Sequence, residues 1–281
     1  MKSITQLIRE YLLALQFFTR IPITGRLADW VGFSPELLRA SAAHFPGVGV
    51  LVGFVAAVVY ALLQTLLPDT AFTPLAAATL STVVTVLLTG GFHEDGLADV
   101  ADGLGGSYSR ERALEIMKDS RIGAFGAMAL VLALLSKVAL LAILGSVQGT
   151  PEGWDEAPFT GWYVCAALAA GHVVSRGLPL LLIYLLPHVG DTVVTKSKPL
   201  ADHISIGSLV AAFSWCVLAL ATAGVVLEAM NLIVACSFSL LALLWLGRLF
   251  KRRLQGFTGD CLGTTQQVCE IAFYLGLAVS L

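Results

Sequence analysis

Six stretches of this chain run too long without charge for a water-soluble fold. Residues 45–67, 74–91, 124–147, 159–186, 206–227 and 232–247 contain only two charged side chains, Lys137 and Arg176. A bilayer core takes a helix of about 20 apolar residues. None of the runs alternates with the two-residue period of a barrel strand. Composition agrees: 57% of the 281 residues are hydrophobic and 13% charged, against about 45–50% and 25% in soluble domains. A mean hydropathy of +0.83 excludes both a soluble globule and disorder. The sequence therefore predicts an all-α, polytopic integral membrane helical bundle. About six to seven transmembrane helices are expected, the seventh being the short, Glu270-containing run 268–281, read as a tilted, re-entrant or packed segment.

At the N-terminus, Ile4, Leu7, Ile8, Tyr11, Leu12, Leu15 and Phe18 recur at helical spacing, which predicts an amphipathic helix rather than a signal peptide. With no internal repeat and no long linker, residues 1–281 read as one domain. The net charge of −2 leaves no basic footprint for nucleic acid. Five cysteines without CxxC spacing read as thiols rather than disulfides or a zinc site.

Lys and Arg side chains alternate between connections. The N-terminal segment, residues 91–123, residues 187–205 and the segment after 247 carry them; the connections at 68–73, 148–158 and 228–231 do not. By the positive-inside bias, the basic connections face the cytoplasm. The expected location is the cell (inner) membrane.

The longest basic loop opens with the densest acidic feature of the chain: Glu94, Asp95, Asp99 and Asp102 lie within nine residues. On a helix, Asp95, Asp99 and Asp102 fall within about 60° of one another, and Glu94 points elsewhere. Converging carboxylates either raise a pKa or hold a divalent cation, and hard oxygen donors suit Mg²⁺ or Mn²⁺. The competing reading is a solvated acidic loop balancing nearby arginines. Apolar Leu97, Val100 and Leu104 favour a packed helix that presents the acids.

Lys118 and Arg121 close the same loop, and Gly123 and Gly126 permit close backbone approach. Cations beside metal-binding carboxylates are components of phosphoryl transfer. Lys137 and Arg176 are costly in hydrocarbon and are expected to face the bundle interior, with snorkelling as the alternative. Asp260, followed by Thr264 and Gln267 on one helical face, offers a second polar surface.

The segments Phe17–Pro22, Phe45–Gly49, Gly91–Gly103, Met117–Gly123, Ser175–Arg176 and Thr258–Gly263 together resemble the cobalamin (5′-phosphate) synthase family, the adenosylcobinamide-GDP ribazoletransferases. The likeness runs in order from about residue 16 to 271. It departs at Glu94, where a neutral residue is more usual. The resemblance implies a Mg²⁺-dependent membrane enzyme that joins adenosylcobinamide-GDP to α-ribazole, or its 5′-phosphate, releasing GMP. It implies metal binding by Asp95, Asp99 and Asp102, with Asp260 as a further catalytic carboxylate. Lys118, Arg121, Lys137, Arg176, Arg20 and His93 are then substrate-binding candidates. Membrane lipid is the other expected partner, and a homo-oligomer is compatible with the sequence. Two alternatives stand beside it: a CDP-alcohol-type phosphotransferase of lipid synthesis, and a cation-coupled transporter using Lys137, Arg176 and His172.

Overall fold

A computed structural model describes residues 3–146, 159, 161–190 and 203–281. It is about 80% helical, and the described residues contain no strand. The chain begins with α1 (Ile4–Phe18), whose N-terminus is capped by the Ser3 hydroxyl accepting from Gln6 N at 3.2 Å. Two short helices follow, α2 (Gly25–Val31) and α3 (Pro35–Ser41). The bundle comprises α4 (Phe45–Leu66), α5 (Thr73–Thr89), α6 (Phe92–Gly106), α7 (Arg110–Ile116), α8 (Ala124–Ser146), α9 (Trp162–Gly177) and α10 (Pro179–Leu185). It is completed by α11 (Ile206–Ala223), α12 (Ala229–Arg253) and α13 (Gly259–Val279).

Among the described residues, five helical stretches are long and apolar enough to cross a membrane: Pro35–Leu66, Ala124–Ser146, Trp162–Leu185, Ile206–Ala223 and Ala229–Arg253. A sixth arises when α5 and α6 are taken as one element bent by 90°. Exposed side chains such as Leu80, Val131, Leu135, Val217, Leu241 and Trp245 give the bundle the apolar exterior of a membrane protein. Its interior, though largely apolar, encloses charged side chains such as Lys137, Arg176 and Glu270 that lipid would not accommodate. All five cysteines are free thiols, as the sequence predicts.

Close approach at small residues sets the packing. A Cβ at Gly53 of α4 would sit 3.0 Å from Ala169 Cα, and one at Gly276 of α13 would sit 2.6 Å from Ala235 Cα. Helices cross tightly at such points because dispersion contacts, rather than water exclusion, hold helices together in lipid.

The terminal run expected at 268–281 is part of a longer helix. The element begins at Gly259, where the Thr258 hydroxyl accepts from Cys261 N, and extends to Val279. It packs on α6, α8, α9, α10 and α12. Gln266, Gln267 and Glu270 depress its hydropathy, yet they are among its most buried residues. The polar positions face neighbouring helices instead of lipid, so an apolar-run criterion misses the first half. The amphipathic α1 is as expected, although it packs on α3 and α4 and encloses a fully buried Glu10.

Candidate active site

The turn between α5 and α6 builds one edge of the site. Gly90 and Gly91 have φ of +71° and +69°, a left-handed pair that side chains disfavour. They produce the 90° bend that lays α6 across the end of the bundle. Arg20, anchored through its N–H to Leu88 O at 2.7 Å, packs its side chain directly over Gly90. A side chain at position 90 would occupy the same space.

α6 then crosses α13 through glycines. A Cβ on Gly96 would lie 2.9 Å from Asp260 O, and one on Gly263 would lie 3.2 Å from His93 O. Thr264 Oγ1 donates to Gly96 O at 3.0 Å across the seam. The start of α13 is held separately, because Phe257 exchanges β-like bonds with the segment after α10: Val189 N donates to Phe257 O at 2.9 Å, and Phe257 N to Pro187 O at 3.0 Å. Asp260 is thereby set beside Asp95 and Asp99, close enough for the three to repel one another.

Asp95, Asp99, Glu94, Arg20, Thr19 and Ser120 line a cavity of about 600 Å³ open to solvent. Asp95 and Asp99 carry no ion pair among the described residues. Burial, then the charges of Asp260, Asp95 and Asp102, push the Asp99 carboxyl up to about 7. Burial and Asp95 push Asp260 up to about 6, against the Thr258 hydrogen bond. Asp260 belongs to none of the five spanning stretches, and Asp99 lies beyond the 90° bend of the α5–α6 element.

These shifts predict a pH dependence. The folded chain holds protons that the unfolded chain loses near 3.8, so this contribution to stability is complete at low pH and disappears as pH rises through about 7. Thermal unfolding of the ligand-free protein should therefore shift to lower temperature as pH rises from about 4 to about 7 and level off above that, and Asp99→Asn should flatten the slope. A slope unchanged in Asp99→Asn would assign the dependence to other groups.

Asp102 departs from the expected triad. Its carboxylate accepts from Gly123 N at 2.7 Å and Gly126 N at 2.8 Å, capping the N-terminus of α8. The helix N-terminus supplies free N–H donors and a positive partial charge, which compete for the carboxylate. Among the described residues, no group of three or more His, Cys, Asp or Glu side chains is arranged to hold a metal ion. The chemistry of Asp95 and Asp99 nevertheless fits Mg²⁺, which is commonly bound by one or two carboxylates and completes its shell with water and substrate phosphates.

The cationic candidates divide. Arg20 faces the cavity. Arg121 is exposed and paired with Asp119 at 2.6 Å, lining a neighbouring depression with Asp102 and Arg112. Lys118 is exposed nearby. Lys137 and Arg176 do face the bundle interior, but away from this cavity's lining: Lys137 pairs with Glu270 at 2.6 Å, and Arg176 donates to His172 O at 2.9 Å. His93 is buried and stacked on Phe45 with ring centroids 5.6 Å apart. Sequence reasoning missed Glu94 as a lining residue and Glu270 as the partner of Lys137. A lone acid in one apolar run and a lone lysine in another was the available signal.

A family profile described as cobalamin-5-phosphate synthase matches residues 10–278. The chain is 76% identical over 276 residues to an adenosylcobinamide-GDP ribazoletransferase of Polaromonas naphthalenivorans, covering 98% of this chain and 99% of the relative. It is 60% identical over 293 residues to the enzyme of that name from Albidiferax ferrireducens, covering 99% and 100%. For the Shewanella pealeana protein of the same name the figures are 39% over 279 residues, with 99% and 98% covered. No solved structure matches the chain.

Proposed function

The chain belongs to the cobalamin-5-phosphate synthase family, enzymes of cobalamin synthesis, and we propose that it joins adenosylcobinamide-GDP to α-ribazole or α-ribazole 5′-phosphate. The products are adenosylcobalamin, or its 5′-phosphate, and GMP. The observation that carries this reading is the solvent-open cavity where Asp95 and Asp99 stand beside Asp260 without a cationic partner of their own.

The reaction is phosphoryl transfer. A ribose hydroxyl of α-ribazole attacks the phosphorus on the corrinoid's aminopropanol arm; the new P–O bond forms as the bond to GMP breaks. Asp95 and Asp99 are the residues that would hold Mg²⁺, whose chemistry when bound is to offset diphosphate charge. Asp260 sits within reach of the same cluster and takes the hydroxyl proton; a carboxyl raised toward neutrality suits that exchange. Arg20 lines the same cavity, where its positive charge would offset the negative charge that the leaving GMP gathers. The distribution of Lys and Arg supports an inner-membrane protein whose cavity opens to the cytoplasm, with lipid against its apolar exterior.

The choice of donor tests the reading. Detergent-solubilised protein should release GMP from adenosylcobinamide-GDP in the presence of α-ribazole, and should release no CMP from a CDP-alcohol supplied with a lipid acceptor. CMP release would move the chain's activity to lipid synthesis. Ion flux into liposomes without turnover would favour a transporter.

A further inference from the structure

The polar side chains of the bundle interior form a continuous path that ends at the wall of the cavity. Lys137 pairs with Glu270 at 2.6 Å, and Gln266 Nε2 donates to the other Glu270 oxygen at 2.6 Å. Gln267 Nε2 donates to Gln266 Oε1 at 2.9 Å and to Glu94 Oε1 at 3.0 Å. Glu94 lines the cavity with Asp95 and Asp99. Among the described residues, its second oxygen has no partner, and neither do Arg176 Nε, His172 Nε2 or either ring nitrogen of His93. All four side chains are at least nine-tenths buried.

An orphaned polar atom in such a setting is costly, and buried water making about three hydrogen bonds is the usual remedy. The glycine seam between α6 and α13 explains why a network is needed there. Gly96 and Gly263 bring the backbones together without interlocking side chains of their own, so rotation of α6 about the contact is opposed by the side-chain bonds that cross it, Thr264 Oγ1 to Gly96 O being one. Rotation would carry Asp95 and Asp99 away from Asp260. The Gln267–Glu94 bond lies one helical turn from Gly263 and opposes that rotation.

We propose that this is an internally hydrated positioning network, with water as its ligand, in which Gln267 and Glu94 fix the angle of α6 on α13 and so the separation of the cavity's aspartates. The catalytic consequence rests on the transferase reading above; the positioning itself does not. Atoms placed about 1 Å from their productive positions cost on the order of 100-fold in rate with little change in substrate affinity.

The test uses the full chain in detergent. Gln267→Met keeps length and flexibility but removes the donor. It should lower kcat by about 10- to 100-fold with KM for both substrates within about twofold, and amide hydrogens of residues 92–106 should exchange several times faster than in the parent. The reciprocal pair Gln267→Glu with Glu94→Gln puts the donor on α6 and the acceptor on α13; it remakes the bond between the helices but not the one to Gln266 Oε1, so it should recover kcat in part, by at least about threefold over Gln267→Met. Unchanged kcat in Gln267→Met, or a loss confined to KM, overturns the proposal. Failure of the folded reciprocal pair to recover also overturns it, because the Glu94 charge would then act directly. If the parent chain releases no GMP, the transferase reading fails separately, and exchange in 92–106 alone decides the network: faster exchange upholds it and unchanged exchange overturns it.

Discussion

Asp99→Asn should lower GMP release by about 100- to 1000-fold while the protein still unfolds cooperatively, whereas Asp102→Asn should act mainly on stability. The two residues share a helical face and differ in what that face meets. Asp99 borders the open cavity among unneutralised carboxylates. Asp102 is buried with both oxygens engaged by the amides that open α8. An asparagine at 102 keeps one acceptor and turns an amide group toward an N–H donor, so the cap is half lost. A charge-assisted bond of this kind contributes about 1.5–3 kcal/mol, which sets the scale of the expected destabilisation. Initial rates normalised to folded protein, together with thermal melting, separate the effects. Equal losses of normalised rate in both variants would return Asp102 to the chemistry.

The second large effect concerns the bundle interior. Glu270→Ala leaves Lys137 buried without its anion and deprives Gln266 and Tyr274 of their acceptor. Removing one partner of a buried ion pair costs about 3–5 kcal/mol, so this variant should accumulate poorly in membranes and melt at a much lower temperature. Lys137→Met combined with Glu270→Gln removes both charges and keeps an acceptor for the neighbours; it should recover most of the loss. A single variant that melts like the parent would show that Lys137 finds water or lipid phosphate instead, and the pair would have no structural weight.

Most of the fold was legible because a bilayer imposes one rule on its spans: each must be apolar for about 20 residues. The runs at 124–147, 206–227 and 232–247 satisfy that rule, and α8, α11 and α12 occupy them closely. α13 escaped it because a helix enclosed by other helices is free of the rule. Its Gln266, Gln267 and Glu270 are paid for by neighbours that a linear sequence does not show side by side.

The site was legible to the same depth. Helical spacing put Asp95 and Asp99 on one face, and the structure keeps them in one cavity with Arg20. Spacing alone carried Asp102 along as well, since it gives the direction of a side chain and not its partner. The two glycines that admit Asp102 to the α8 terminus were visible in sequence, but only the packing of α6 on α8 shows that a carboxylate fills the room they leave. Lys137 and Arg176 were correctly placed in the interior, while their anchoring to Glu270 and His172 depended on contacts between separate helices.

The central claim is that Asp95 and Asp99 offer a divalent cation the site from which phosphoryl transfer proceeds. Its most direct test is GMP release by the solubilised protein, supplied with adenosylcobinamide-GDP and α-ribazole, before and after chelation by EDTA. Release should vanish in EDTA and return in full when Mg²⁺ is added back, with a higher half-saturating Mg²⁺ concentration in Asp95→Asn. Release that continues undiminished in EDTA would contradict the claim.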